Sequence, residues 1–221
     1  MAGFDLKFIF RTSSTFDVRL KGSAGLQLKL FLSFQVIEER MTGIKPLTIW
    51  TIGHSTRTAV EFEELLLAHH IKTLVDVRTY PISRRFPHFN QKQLNEDLAS
   101  IGLEYRHLPS LGGMRKPLPN SKNSAWKNAS FRGYADHMET DTFNHGISEL
   151  LKIAWSSPTA FMCAESLWWK CHRSLIADHL KSKGHEVIHI LKVNKTEIHP
   201  YTSAARIVDG ELSYGGLLPA E

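Results

Sequence analysis

Between Leu47 and Leu191 the chain alternates short apolar runs with amphipathic stretches, and few folds accept that alternation. Leu47–Ile52, Thr73–Val77, Glu104–Leu108, Thr159–Cys163 and Glu186–Leu191 have the length and residue types of strands. Between them, Phe62, Leu65, Leu66 and His69 recur at helical spacing behind the capping-box pattern Thr58-Ala59-Val60-Glu61. Leu94, Leu98 and Ile101 form a second stripe, opened by Asn90 with Gln93 and stopped by Gly102. Phe143, Ile147, Leu150, Leu151 and Ala154 form a third, and Leu175, Ile176 and Leu180 a fourth. Strands joined through helices pair in parallel, and a parallel sheet is covered on both faces. The expected fold is therefore a three-layer α/β/α domain with a mainly parallel sheet of about five strands. Asp209-Gly210, inside Arg206–Leu212, adds a C-terminal hairpin.

Residues 1–45 read differently. Leu26, Leu28, Leu30, Phe31, Leu32, Phe34 and Val36 are apolar, but Lys29 interrupts them and no cap or turn frames them. Met41 stands just before the first clean strand, so residues 1–45 read as an extension that a start assigned too far upstream would explain, a genuine N-terminal arm or a targeting peptide being the alternative, and residues 46–221 as one α/β domain. A chain begun at Met41 is expected to keep its melting temperature. Residues 109–130, rich in Pro, Ser, Asn and Gly, read as a long polar loop of the kind that is functional or disordered.

With 221 residues, 42% of them hydrophobic, the chain can bury a full core. Lys and Arg exceed Asp and Glu by five, 27 against 22, which permits an anionic partner without demanding one, because the charges are dispersed. Two cysteines and the lack of a secretory signal point to a reducing, cytoplasmic setting. No run approaches the ~18 apolar residues of a membrane span, so no membrane partner is expected. Composition says nothing of oligomeric state, and no cofactor is identified.

The groups that follow each strand carry the chemistry. Gly53-His54-Ser55 follows the first, Asp76-Val77-Arg78 with Pro81, Ser83, Arg84 and Arg85 the second, and Leu111-Gly112-Gly113 the third. Cys163-Ala164-Glu165 closes the fourth, Cys171-His172-Arg173 opens the helix behind it, and the fifth carries His189. In parallel strands all of these gather on one edge, outside the carboxyl ends where ligands bind. A thiol at a helix N-terminus beside arginine gains thiolate character, which makes Cys171 the candidate nucleophile and Cys163 a packed strand residue. Glu165 and His54 are candidate acid–base groups. Arg78, Ser83, Arg84, Gly112, Gly113, His172 and Arg173 are candidates for holding an anionic substrate, guanidinium being suited to bidentate phosphate or carboxylate contacts. For the arginines the competing reading is a structural ion pair with Asp76 or Glu165. For His172 it is a ring turned out of the cleft, and for Trp168 and Trp169 it is an apolar anchor rather than a stack for a base. The cysteine spacing matches neither thioredoxin-like nor paired zinc C-x-x-C patterns, so no metal is assigned.

Taken in order, Gly53-His54-Ser55, Asp76-Val77-Arg78, Pro81, Ser83-Arg84, Tyr105, Leu111-Gly112-Gly113, Phe131, Gly133-Tyr134, Cys163-Ala164-Glu165 and Cys171-His172-Arg173 resemble the bacterial and archaeal family catalogued as domain of unknown function 488. The resemblance spans residues 47 to about 193, leaves residues 1–46 outside, and implies no activity. A weaker likeness to rhodaneses rests on a strand ending Asp-Val-Arg and on a strand-end Cys with Arg on the next helix turn. Measured from Cys163 the Arg comes too late for their compact loop or a phosphatase loop, and from Cys171 it comes too soon. Two functions are expected from these residues. One is a thiol-dependent enzyme acting on an anionic substrate, a nucleotide or nucleic acid. The other is a non-catalytic nucleotide- or nucleic-acid-binding module using the arginines and Trp168-Trp169.

Overall fold

A computed structural model describes residues 45–216; the expectations for residues 1–44 lie outside that range. The strands are β1 (Thr48–Gly53), β2 (Thr73–Asp76), β3 (Glu104–His107), β4 (Thr159–Cys163), β5 (Glu186–Lys192) and β6 (Lys195–Ile198), in the order β3-β2-β4-β1-β5-β6. All pair in parallel except β6, which runs antiparallel to β5. The helices are α1 (Ala59–Ala68), α2 (Gln91–Ser100), α3 (Ala129–Met138), α4 (Asp141–Ser156) and α5 (Arg173–Ser182). A separate two-stranded hairpin, β7 (Arg206–Val208) with β8 (Glu211–Ser213), turns through Asp209 and Gly210, both at positive φ, as a two-residue turn of matching twist requires.

The layers follow from alternation along the strands. Leu74 and Val75, like Met162 and Phe161, are neighbours in sequence, so their side chains leave on opposite faces. On one face Leu74, Ala160 and Met162 pack with Phe62, Leu65 and Leu66 of α1 and with Leu94 and Leu98 of α2. On the other, Val75 and Phe161 pack with Tyr134 of α3, Phe143 and Leu150 of α4, and Leu175 and Ile176 of α5. Covered on both faces, β2 and β4 are buried at every position.

The helix starts show how local chemistry frames these layers. Thr58 accepts from the Glu61 backbone N–H and the Glu61 carboxylate accepts from the Thr58 N–H, closing the capping box. Asn90 precedes α2, but its Oδ1 accepts from Ser83 N at 2.6 Å and pins the preceding loop instead of capping the helix. Gly102 ends that helix at a φ of 77°. Helix α3 begins within the last residues of the stretch that reads as loop; Asn128 caps it by accepting from Ser130 N and Phe131 N. The sixth strand likewise lacks an apolar signature, because an edge strand bearing Lys195 and Glu197 is protected by its charges.

The connections after β1 and β2 run to the α1–α2 face, whereas that after β4 runs to the α5 face. Since β4 lies between β1 and β2, chains leave its carboxyl end and theirs in opposite directions, which opens a crevice there. Hydrogen bonds from His54 N to Cys163 O, Ser55 N to Ala164 O and Val77 N to Met162 O hold the three departing loops together. No helix among the described residues is long and apolar enough to cross a membrane.

Candidate active site

Arg173, the first residue of α5, is the centre of the crevice floor and is 1% exposed. Its Nε donates to Cys163 Sγ at 3.0 Å, Nη1 to Thr51 Oγ1 at 3.1 Å, and Nη2 to the carbonyls of Glu165 at 2.6 Å and Ser166 at 3.4 Å. Its backbone N–H approaches Cys171 Sγ at 3.5 Å. None of these partners is a carboxylate. Burying an unpaired guanidinium is costly, so the neighbouring sulfurs become the natural seat of its counter-charge. Burial pushes both thiols up, and for Cys163 that prevails, holding it well above the usual thiol range. For Cys171, burial is more than offset by the Cys163 thiol as hydrogen-bond donor, by the Arg173 charge and by the Arg173 N–H, which together bring it down to about 7. The pair therefore shares one proton near neutrality, and Cys163 keeps it.

His172 turns into this floor. Its Nε2–H donates to Val77 O at 3.1 Å, which leaves Nδ1 facing Cys171 Sγ at 3.5 Å. Burial keeps the ring neutral. The glycines make room for it and for the loops above: a Cβ on Gly113 would lie 2.9 Å from His172 Nδ1, and one on Gly112 would lie 2.5 Å from Thr79 Oγ1. A Cβ on Gly53 would overlap the Glu165 carbonyl that receives Arg173.

A second centre adjoins the first across Val77. Arg78 and Asp76 form a buried forked pair, Nε to Oδ1 at 2.9 Å and Nη2 to Oδ2 at 2.6 Å, extended by Tyr105 OH to Asp76 and by Nη2 to Phe89 O. His54 stacks on Phe89 with centroids 4.2 Å apart, donates from Nδ1 to Ser55 O, and turns Nε2 toward Arg78 Nη1 at 3.4 Å. Burial and then the Arg78 charge lower His54 to about 4, so it is a neutral ring at pH 7.

The remaining candidates lie elsewhere. The Glu165 carboxyl is exposed, and only its backbone touches the centre. Ser83 is occupied in a turn, its Oγ accepting from Phe86 N at 3.0 Å. Arg84 is exposed on the rim. Trp168 is an anchor, parallel to His189 at 4.4 Å with Nε1 bound to Glu197, whereas Trp169 is exposed. Among the described residues no group of His, Cys, Asp or Glu is arranged to hold a metal ion.

The family model described as Domain of unknown function DUF488 matches residues 58–180, more than half of the chain. The chain belongs to this family. No curated protein and no solved structure matches it. The matched DUF488 stretch contains Arg78, Cys163, Cys171, His172 and Arg173, while His54 lies just before it.

Around the DUF488 stretch the structure adds Arg57, Thr51, His199 and Asp178, which the sequence reading did not place in the site, and gives His189, expected on this edge, its partners. Arg57 donates to Gly53 O from Nη1 and to Leu191 O from Nη2, again without a carboxylate. Behind Arg173 runs a buried hydrogen-bond relay. Thr51, which accepts from Arg173, must donate its hydroxyl proton to His189 Nδ1 at 2.8 Å. His189 Nε2 then donates to His199 Nδ1 at 2.9 Å, and His199 Nε2 to Asp178 Oδ1 at 3.0 Å. With a pure donor at one end and a pure acceptor at the other, the relay has one polarity. Asp178 also accepts from Thr202 N, Thr202 Oγ1 and Tyr214 OH. Its signal in the sequence is a carboxylate beside Leu175, Ile176 and Leu180 on an apolar helix face, a place where a charge needs buried partners.

The histidines make acid stability a test of this interior. Burial, followed by nearby cations, lowers His54 and His179 to about 4; burial, followed by His199 and Arg173, lowers His189 to about 2. An unfolded histidine takes up its proton near pH ~6.5, so between the unfolded and folded values only the unfolded chain is protonated. Stability is therefore full above that range and falls as pH drops, by about 1.4 kcal/mol per pH unit for each histidine, or about 4 kcal/mol per unit for three near pH ~5. Urea midpoints measured from pH 7.5 to 5 should decline from about 6.5 downward; a flat profile would contradict the assignment.

Proposed function

We propose that the chain is a thiol-dependent enzyme acting on an anionic substrate, a nucleotide or nucleic acid, at the carboxyl edge of the sheet. The observation that carries this reading is Arg173, a buried guanidinium bound to sulfur and carbonyl oxygen with no carboxylate partner. Cys171 is the nucleophile, its thiolate held by Arg173, and His172 Nδ1 receives and returns the thiol proton. Arg57 and Arg84 supply cationic character for the substrate, and His54 offers a neutral ring beside Arg78. Because Cys171 is 4% exposed, only a terminal group of the substrate reaches the sulfur. Free thiols fit a reducing compartment, and we assign the chain to the cytoplasm.

Alkylation tests the reading. Iodoacetamide should label Cys171 faster than Cys163, with a rate that rises through an apparent pKa of about 7. A mononucleotide or short oligonucleotide should protect Cys171. Equal labelling of both cysteines, or a midpoint in the ordinary thiol range, would refute it. The exposed Tyr80, at 68%, and Ile82, at 72%, next to Arg84 and Arg85 favour the second reading, a binding surface on which bases stack. If that reading is the correct one, Cys171→Ala binds the oligonucleotide as the parent does and the ligand leaves alkylation unchanged.

A further inference from the structure

Cys163 is idle in the proposed enzyme, yet it is placed as carefully as Cys171. Both sulfurs contact the same residue, Cys163 through Arg173 Nε at 3.0 Å and Cys171 through Arg173 N at 3.5 Å. Cys163 ends β4 and Cys171 precedes α5, so the crevice folds the intervening loop back until both thiols meet the first residue of the helix. They are nevertheless free, not joined. The floor on which they sit, with both residues under 5% exposed, excludes bulky electrophiles more strongly than small neutral ones. A thiolate and a protonated thiol held by one fixed arginine have what a two-step reaction with a small peroxide needs.

We propose that Cys171 and Cys163 form a peroxide-reactive pair that closes a disulfide and switches off the thiol site. This rests on the reading of Cys171 as a thiolate. In the first step the Cys171 sulfur gives its electron pair to the terminal oxygen of a hydroperoxide ROOH. An S–O bond forms, the O–O bond breaks, and RO⁻ leaves and takes up from solvent the proton that Cys171 had released. Cys171 is now a sulfenic acid. In the second step the Cys163 sulfur attacks that of Cys171; the S–S bond forms, the S–O bond breaks, and hydroxide departs with the Cys163 proton as water. The two thiols lose two electrons, and the peroxide is reduced to ROH and water. Arg173 aligns both steps, since it holds the attacking sulfur by its side chain and the attacked sulfur by its backbone. Closing the bond removes the nucleophile and leaves Arg173 without an anion, so the oxidised site is inactive until an external dithiol reduces it.

The experiment treats the reduced full-length chain at pH 7 with one equivalent of hydrogen peroxide, followed by denaturing mass spectrometry. The expected product has lost two hydrogens. Trypsin cuts after Lys170, so it should release the tripeptide Cys171-His172-Arg173 linked to the peptide carrying Cys163. Peroxide should be consumed about three-fold or more faster than by free cysteine: a thiolate fraction about fifteen-fold larger, for pKa values of about 7 and about 8.5, is partly offset by the weaker nucleophilicity of the less basic sulfur. Cys163→Ser should stop at the sulfenic acid, seen as one added oxygen and trapped by dimedone, and dithiothreitol should restore iodoacetamide labelling of the parent. Because the linked peptide is read on the parent chain, a variant that fails to fold leaves the test intact. Rapid alkylation at Cys171 with no linked peptide after peroxide overturns the pair and spares the enzyme. Slow alkylation together with slow peroxide consumption overturns both.

Discussion

Arg173→Met is expected to slow alkylation of Cys171 at pH 7 by about five-fold or more, because the thiol loses a cation that opposes its burial, an effect typically worth about one pKa unit or more. In the parent chain burial raises the Cys171 thiol, and Arg173 together with Cys163 brings it to about 7, which leaves about half of it ionised at neutrality. Without the guanidinium only the Cys163 hydrogen bond and the backbone N–H of residue 173 still oppose burial, and the thiol rises; a rise of about one unit leaves roughly 10% of it ionised at pH 7. The sign is fixed: the variant should react like the parent only at pH values about one unit or more higher. Met has a similar reach and no charge, so the comparison isolates electrostatics from packing. Met also leaves Thr51 Oγ1 and the Glu165 and Ser166 carbonyls without their donor, so the rate is compared in the absence of urea and with the variant's unfolding midpoint measured beside it. Arg173→Lys, which keeps the charge but cannot span Thr51, Cys163 and the Glu165 carbonyl at once, should fall between the two. A parent-like rate in Arg173→Met would show that the cation does not set the thiol's state.

Asp178→Ala should cost about 3–5 kcal/mol of folding stability, the largest effect expected of any single polar substitution here. The carboxylate accepts from His199 Nε2, Thr202 N, Thr202 Oγ1 and Tyr214 OH, and it is fully buried. Alanine would leave those donors facing a hole that cannot satisfy them. Asp178→Asn should be much milder. Its oxygen still receives His199 and the Thr202 N–H, while the Thr202 and Tyr214 hydroxyls can turn to accept from the new amide. Urea unfolding decides between them, and equal losses in the two variants would show that the volume of the side chain, not its acceptors, carries the effect.

The layered sheet was legible because a parallel strand covered on both faces reads as an unbroken apolar run, as Thr159–Cys163 does. Edges and polar helices are less visible. Lys195–Ile198 carries an edge strand's charges, and the Asn128 cap of Ala129–Met138 is lost among neighbouring Ser and Asn residues. At the candidate site, the rule that strand ends collect ligand-binding groups located Cys171, Arg173, His54 and Arg78 on one edge. What the rule cannot give is partnership. Whether Arg78 or Arg173 meets a carboxylate depends on which loop folds over which, and only three dimensions show that Asp76 takes Arg78 while Arg173 is left to sulfur. His172 illustrates the same limit: adjacent residues on a regular helix diverge, but it stands at the N-cap, just outside the helix, and so turns toward Cys171.

The relay behind Arg173 also runs beyond the stretch that the family model matches. The family stretch closes at Leu180, whereas Thr51 precedes it and His189, His199, Thr202 and Tyr214 follow it. A fragment cut to residues 58–180 would keep both sulfurs, the guanidinium and Asp178, yet lose every group that joins the last two. Segments flanking the matched stretch thus act as an internal splint for the most constrained residues within it. Fragments or chimaeras of this chain should be bounded by that splint rather than by the limits of sequence likeness.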